Sequence, residues 1–580
     1  MENIEGGGVV PAAGEEVEVA ERHPASGRSL RGAVAAVLGG RAALYALGAI
    51  LIGSVFWYLQ FSTASICCGD FDAYYHFRWS RMLWDGLWAG RFPPSFDALP
   101  LTTLNPQDYV DHHLLFHVFQ IPFTFFPDFE AGAKVGTWLF ACAAVLACFW
   151  LLVRYRVGYP LLWLVAVLGS SAPFLYRIQM GKAMSVSIVM LVAGIYLLFE
   201  RRYLWLLPLA FVFALTYDMV FLLGVASVCW LAVVLWGERS LNREVKRAAV
   251  AVGLVALGIA LGSVINPYFP RNVVLTYQHL LMKVTPKDFT TAVGSEWYPY
   301  STWEFLGNCG VALAAMVAGY VAFRGAARAE NRRAFFLLLF ATFLMLVNMR
   351  WRRFAEYFPP FAVLFAAFAL DPLVAAARER YLTAGGDGRD AAAAERAERA
   401  RAWEFVFVAT AALLLLAPMI WYTRVTAKDI AGMAGPDQYR RGMEWVRANV
   451  PPGEPVFNSD WDDFPKLFFY DPARPFIAGL DPTYLLDRDP ELMRHYERIG
   501  RGEEEDPGPI IREKFCVGEG AARRCARHVI TDHEHGDMFD NMLDSGWFEV
   551  AYEDEDCSIL RLRDEKGDPP PDNVPPGEGG

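Results

Sequence analysis

Three separated groups of acidic and imidazole side chains hold the chemistry available to this chain. They are Asp70-Phe71-Asp72 followed by Ala73-Tyr74-Tyr75-His76-Phe77-Arg78, then Asp111-His112-His113, then Ser295-Glu296-Trp297-Tyr298-Pro299. Carboxylates and imidazoles bind hard divalent cations, and such a cation screens a phosphate that the acids alone would repel. Asp72, Asp111, Glu296 and His113 are therefore candidate ligands for Mg or Mn, with His112 as the alternative imidazole. Asp72, Asp111 and Glu296 are also the candidate catalytic carboxylates, and Asp70 and Asp218 are further candidates.

The elements that must position these groups are membrane spans. The chain has 580 residues, 54% hydrophobic and only 20% charged, and its apolar runs are too long for ordinary core elements. Windows of roughly 17 to 23 apolar residues fall near 42–60, 131–152, 157–176, 184–199, 203–217, 219–236, 247–265, 305–323, 334–349, 354–374 and 403–421. The expectation is a polytopic α-helical membrane protein of about eleven transmembrane helices, with about thirteen as the upper count, and a C-terminal extracytoplasmic α/β domain.

Basic residues cluster in alternate loops: Arg22 to Arg41, Arg154 and Arg156, Arg201 and Arg202, Arg239 to Arg247, Arg324 to Arg333, and Arg378 to Arg401. The positive-inside rule places these in the cytoplasm. The loops 61–130 and 266–304, the turn at Asp218 and everything after about residue 422 then lie outside, all three acidic groups among them. Arg350, Arg352 and Arg353 break the rule, since this topology puts them outside too.

The expected organisation is a disordered cytoplasmic tail over 1–40, a transmembrane domain over 41–422, a soluble extracytoplasmic α/β domain over 423–565 and a disordered tail over 566–580. Strand-like runs in the soluble domain are 455–457, 476–478, 527–530 and 559–562, with helical stretches at 437–449 and 537–545. Gly479-Leu480-Asp481-Pro482 reads as a turn. Cys516 and Cys525 can pair in an oxidising exterior, with free thiols as the alternative, and the lack of a Cys-x-x-Cys pair argues against a zinc ribbon. A net charge of −11, with most of the acids in the first long loop and the C-terminal region, argues against nucleic acid binding.

Asp72-Ala73-Tyr74-Tyr75-His76-Phe77-Arg78 resembles the Asp-x-x-aromatic-x-aromatic-Arg motif of oligosaccharyltransferase catalytic subunits. Ser295-Glu296-Trp297-Tyr298-Pro299-Tyr300-Ser301-Thr302-Trp303 resembles their Ser-Glu-x-x-Pro…Thr-Trp segment. The family belongs to the GT-C class of integral-membrane glycosyltransferases, which use lipid-phosphate-linked sugar donors outside the cytoplasm. The resemblance implies that Asp72 is a metal ligand or catalytic carboxylate, that Glu296 reaches the same site, and that Arg353, with Arg352 beside it, holds the donor phosphate. That role would explain the break in the positive-inside rule.

The departures are equally specific. Pro173…Arg177…Gly181 matches a family segment that ends in an acidic pair, but here Lys182-Ala183-Met184-Ser185-Val186 follows. Asp111-His112-His113 is the candidate replacement for the missing acids. The family's Trp-Trp-Asp-Tyr-Gly acceptor motif has a worn counterpart in Asp460-Trp461-Asp462-Asp463-Phe464, which makes Asp460, Trp461 and Asp462 candidate acceptor contacts.

Each group also has a plainer role: solvated loop acids among interfacial aromatics for Asp70, Asp72 and Glu296, a helix cap for Asp111, a turn for Asp218, and headgroup anchoring for Arg352 and Arg353. The leading expectation is an integral inner- or plasma-membrane enzyme that moves a sugar or glycan from a polyprenyl-phosphate donor to an extracytoplasmic acceptor, in contact with membrane lipid. Oligosaccharyl transfer to asparagine is the nearer alternative. A non-catalytic transporter or assembly protein is the distant one, and it would place acids mid-span, whereas these sit at span ends and in loops.

Overall fold

The computed structural model describes residues 40–66, 71–284, 293–323, 331–383, 391–433 and 435–567. Residues 1–39 of the N-terminal tail, the candidate Asp70 and residues 568–580 of the C-terminal tail lie outside them. The chain divides into two compact units, Met1–Leu47 and Gly48–Gly580, so the membrane helices that follow and the C-terminal sheet share one unit.

Eight described helices are long and apolar enough to cross a membrane: Arg41–Phe61, Phe129–Arg154, Asp218–Glu238, Arg243–Val264, Thr302–Ala322, Arg332–Arg350, Phe358–Glu379 and Ala402–Ala431. A helix suits lipid because it satisfies its own backbone polar groups. Several begin on side-chain caps. The Asp128 carboxylate accepts from the Glu130 and Ala131 amides, Asn242 accepts from Glu244 and Val245, and Ser301 and Glu304 form a reciprocal capping box.

Among the described residues, eight of the eleven expected spans correspond to helices of crossing length. Window 157–176 forms two short helices, Pro160–Leu168 and Ala172–Arg177. Gly169 ends the first, and the Ser171 hydroxyl accepts from the Phe174 amide to start the second. A Cβ at Gly169 would sit 2.9 Å from the Met419 backbone nitrogen, so this glycine lets the helix Ala391–Ala431 pass close by. Hydropathy averages over such a break, because glycine and serine barely interrupt an apolar window. Windows 184–199 and 203–217 become the shorter apolar helices Met184–Phe199 and Tyr203–Thr216, and Leu114–Phe125 is a third.

The C-terminal part holds a four-stranded sheet in the order β1-β4-β6-β5, with β1 Val456–Asn458, β4 His528–Thr531, β5 Phe548–Glu553 and β6 Ser558–Leu562. β1 runs parallel to β4, whereas β4 with β6 and β6 with β5 are antiparallel. β2 Cys516–Val517 and β3 Arg524–Cys525 form a separate pair joined by the Cys516–Cys525 disulfide. Of the four strand-like runs, 476–478 supplies only an isolated bridge from Phe476 to Val456, while β5 was not foreseen. The expected helices are present as Arg440–Asn449 and Gly536–Asp544.

The 61–130 segment is not a free loop. Its helix Asp72–Trp88 contributes Tyr75 and Trp79 to one buried cluster with Phe96, Tyr109, Phe464, Phe468, Phe476 and Tyr484. Backbone hydrogen bonds tie the same parts together, from the Phe476 amide to the Ala98 carbonyl at 2.8 Å and from Thr103 to Tyr484 at 3.0 Å. Arg78 Nε donates to the Phe469 carbonyl at 2.7 Å. Removing a buried aromatic of this kind costs about 3–5 kcal/mol, so the C-terminal part holds the Asp72 helix rigidly in place.

Candidate active site

Asp72 opens the helix Asp72–Trp88, where the positive end of the helix dipole favours a carboxylate. Lys182 Nζ lies 2.7 Å from its Oδ2, with the two side chains 17% and 23% exposed. Lys182 follows Gly181, whose φ of +66° is readily adopted only by glycine. The Gly181 carbonyl accepts from Gln120 Nε2 at 3.1 Å, and Gln120 Oε1 lies 3.0 Å from Ser80 Oγ on the Asp72 helix itself. Lysine and carboxylate are thus held from both sides, and the pair retains access to solvent.

Asp111 has a different environment. Its side chain is 1% exposed and accepts from Trp79 Nε1 at 3.0 Å, from the His113 amide at 2.9 Å and from His117 Nδ1 at 2.8 Å. Burial raises its carboxyl, but the His117 contact and the other donors outweigh that and hold it below the usual range. His117 Nε2 meets His76 Nδ1 at 2.7 Å. Burial, then His117, Lys182 and His112, pushes His76 well down, so it is neutral near pH 7. An ionised Asp111 fixes the proton of His117 on Nδ1. Of the facing nitrogens His117 Nε2 and His76 Nδ1 one must donate and the other accept, so the tautomers of the two rings are coupled. His113 stacks on Tyr217, with ring centroids 5.3 Å apart. His112 Nδ1 is buried with no hydrogen-bond partner among the described residues.

Glu296 lies in a buried charge cluster. Arg177 bridges two acids, with one terminal nitrogen 2.7 Å from Glu296 Oε2 and its Nε 2.9 Å from Glu356 Oε2. Arg353 approaches Glu296 Oε1 at 3.5 Å, donates to the Tyr217 hydroxyl at 3.0 Å and lies 4.3 Å from the Trp297 ring centroid. Burial raises the Glu296 carboxyl, yet Arg353, Arg177 and Lys182 together hold it far below the usual range. Burial dominates at Glu356 and pushes it up despite Arg177 and Arg353. Arg353 Nε and Glu356 Oε1 are buried without hydrogen-bond partners among the described residues.

Lys182 links the groups, because its charge acts on Asp72, Glu296, His76 and His113. Asp218 belongs to the same neighbourhood. Burial pushes the Tyr484 phenol well up, and Asp481, Asp218, Asp72 and Asp487 push it the same way. The Gly479–Pro482 segment is the expected turn, with Asp481 Oδ1 accepting from the Thr483 amide at 2.9 Å, and it also brings Tyr484 toward Asp72.

Arg352 faces elsewhere: it donates to the Pro299 carbonyl and pairs with Glu304, each at 3.2 Å. Asp460 accepts from the Asp462 amide at 3.1 Å and lies 3.9 Å from His535, while Trp461 packs against a cluster containing Phe457 and Tyr496.

Among the described residues no three His, Cys, Asp or Glu side chains are placed to hold a metal ion. Asp72 engages Lys182, Asp111 engages three donors in a buried network, His113 stacks on Tyr217, and Glu296 engages two arginines. In the sequence Lys182 stands out only as a departure, and His76, His117, Tyr217, Glu356 and Tyr484 have no role there. Glu356 carried a signal, an acid three residues from Arg353 at the mouth of an apolar span. His76 and His117 are 41 positions apart, so no local spacing could pair them.

No protein-family model matches the sequence, and no curated protein matches it. Solved structures do. The apo oligosaccharyltransferase of Archaeoglobus fulgidus aligns over 86% of this chain and 71% of its own, with a TM-score of 0.57 at 14% identity. ArnT from Cupriavidus metallidurans bound to undecaprenyl phosphate aligns over 90% and 98%, with a TM-score of 0.52 at 13% identity. This chain shares the fold of these two membrane enzymes. The Archaeoglobus enzyme has also been solved in complex with Zn and sulfate, and that structure aligns over 87% of this chain and 71% of its own with a TM-score of 0.54 at 13% identity. Within this shared fold, Lys182 follows Gly181 where the resemblance calls for an acidic pair.

Proposed function

We propose that the protein is a membrane glycosyltransferase that moves a sugar or glycan from a polyprenyl-phosphate-linked donor to an acceptor on the extracytoplasmic face. The observation that carries this reading is the convergence of Lys182, Arg177 and Arg353 on Asp72 and Glu296 beside membrane helices. Three cations thus face Asp72, Glu296 and Glu356, the last of which burial pushes up. Cations so placed suit an anionic leaving group in a partly buried site, and Arg353 Nε, which has no hydrogen-bond partner among the described residues, is a donor available to phosphate.

In this mechanism the acceptor oxygen bonds to the anomeric carbon while the anomeric C–O bond to phosphate breaks, its electron pair leaving on the phosphate oxygen. Asp72, ionised beside Lys182, takes the acceptor proton. Arg353 and Lys182 stabilise the departing phosphate. The His76–His117–Asp111 chain braces the Asp72 helix from behind. An extracytoplasmic site agrees with the distribution of basic residues, and the Cys516–Cys525 disulfide suits an oxidising exterior.

Glycan and lipid analysis of cells with and without the gene tests the reading. Loss should remove one glycosylated product and accumulate one polyprenyl-phosphate-linked sugar. Unchanged glycan and lipid profiles would contradict it.

A further inference from the structure

The most informative departure from the expected site is the lysine in place of an acidic pair. A divalent cation between acidic motifs would neutralise the carboxylates and present positive charge to a phosphate. Lys182 Nζ meets both requirements, at 2.7 Å from Asp72 Oδ2 and with its charge also acting on Glu296. Its position is built in, since the left-handed Gly181 directs the chain and Gln120 anchors the Gly181 carbonyl at 3.1 Å. The remaining candidate ligands are committed elsewhere: Asp111 to Trp79, His117 and the His113 amide, and Glu296 to Arg177 and Arg353.

We infer that the Lys182 ammonium occupies the place of the divalent cation, as a tethered positive charge that pairs with Asp72 and receives the negative charge of the donor phosphate. The inference rests on the transfer reading for its phosphate partner, but the pairing itself stands on geometry. Lysine suits this role because it is a compact charge on a flexible stem and can shift between carboxylate and phosphate as charge develops on the leaving oxygen.

Mn2+ alone, titrated into the full-length protein in lipid nanodiscs and followed by electron paramagnetic resonance, tests the pairing without any donor. Wild type and Asp72→Asn should bind Mn2+ alike. Lys182→Glu should gain one Mn2+ site at least about tenfold tighter, and that site should vanish in Lys182→Glu/Asp72→Asn. An Asp72-dependent Mn2+ site in the wild type would overturn the inference, and that comparison requires no change at Lys182. A Lys182→Glu protein that unfolds like wild type but gains no site would also overturn it. In transfer assays, EDTA should change the wild-type rate less than about twofold, while Lys182→Gln should lower it about 10²–10³-fold. EDTA-abolished transfer restored by Mn2+ would contradict the inference while leaving the transfer reading intact. If no lipid-linked sugar is turned over, the transfer reading fails and the Mn2+ comparison still decides the pairing.

Discussion

Asp72 and Asp111 occupy the two ends of one segment and resemble each other in sequence, since each stands beside aromatic or imidazole residues. Their environments differ. Asp72 keeps a side chain 23% exposed beside a flexible lysine, whereas Asp111 is 1% exposed and holds three donors from an indole, an imidazole and an amide. A carboxylate that exchanges protons with a substrate needs acceptor capacity open to it. One whose capacity is filled from within its own fold acts as a fixed anion that orients its neighbours. In the proposed mechanism Asp72 therefore takes the chemistry and Asp111 the positioning.

Exchanging the two acids for amides is the strongest way to break this distinction. Asp72→Asn should lower kcat about 10²–10⁴-fold and change thermal unfolding less than Asp111→Asn does, as read by steady-state transfer and melting curves. Equal kinetic losses with equal destabilisation would erase the difference. Arg177→Met comes next, because it removes the guanidinium that bridges Glu296 and Glu356 in a buried site and should cost about 3–5 kcal/mol in denaturant unfolding. Asp111→Asn should cost about 1–3 kcal/mol, and a histidine NMR spectrum should show His76 and His117 changing tautomer populations together.

The smallest expected effects depend on pH. Asp111 is held below its unfolded value, so its contribution to stability is full above about pH 4 and is lost as pH falls through the lower folded value. In the C-terminal part, His535 is raised, first by its hydrogen bond to Asp532, 2.6 Å away. That contribution is full below about pH 6.5 and disappears as pH rises through the folded value. Melting curves of wild type and Asp532→Asn should therefore converge toward high pH, while wild type and Asp111→Asn converge toward low pH.

The fold was largely legible in the sequence, because hydropathy reads long apolar helices directly, and eight of the expected windows correspond to helices of crossing length. The break at Gly169-Ser170-Ser171 was hidden by its apolar flanks. Asp72 and Glu296 could be singled out because each sits in a compact motif. Their partners could not, since the bond from Arg177 to Glu296 spans 119 positions and that from His76 to His117 spans 41. The role of Lys182 was masked for another reason: a lysine offered no metal-ligand signal, and its meaning appears only once its ammonium is seen against Asp72.

Single-turnover mass spectrometry on the purified protein with a polyprenyl-phosphate-linked sugar tests the central claim most directly. Wild type should release free polyprenyl phosphate in step with acceptor glycosylation, and Asp72→Asn should bind the donor but release almost none. Equal release by both proteins, or release by neither while donor is bound and acceptor present, would contradict it.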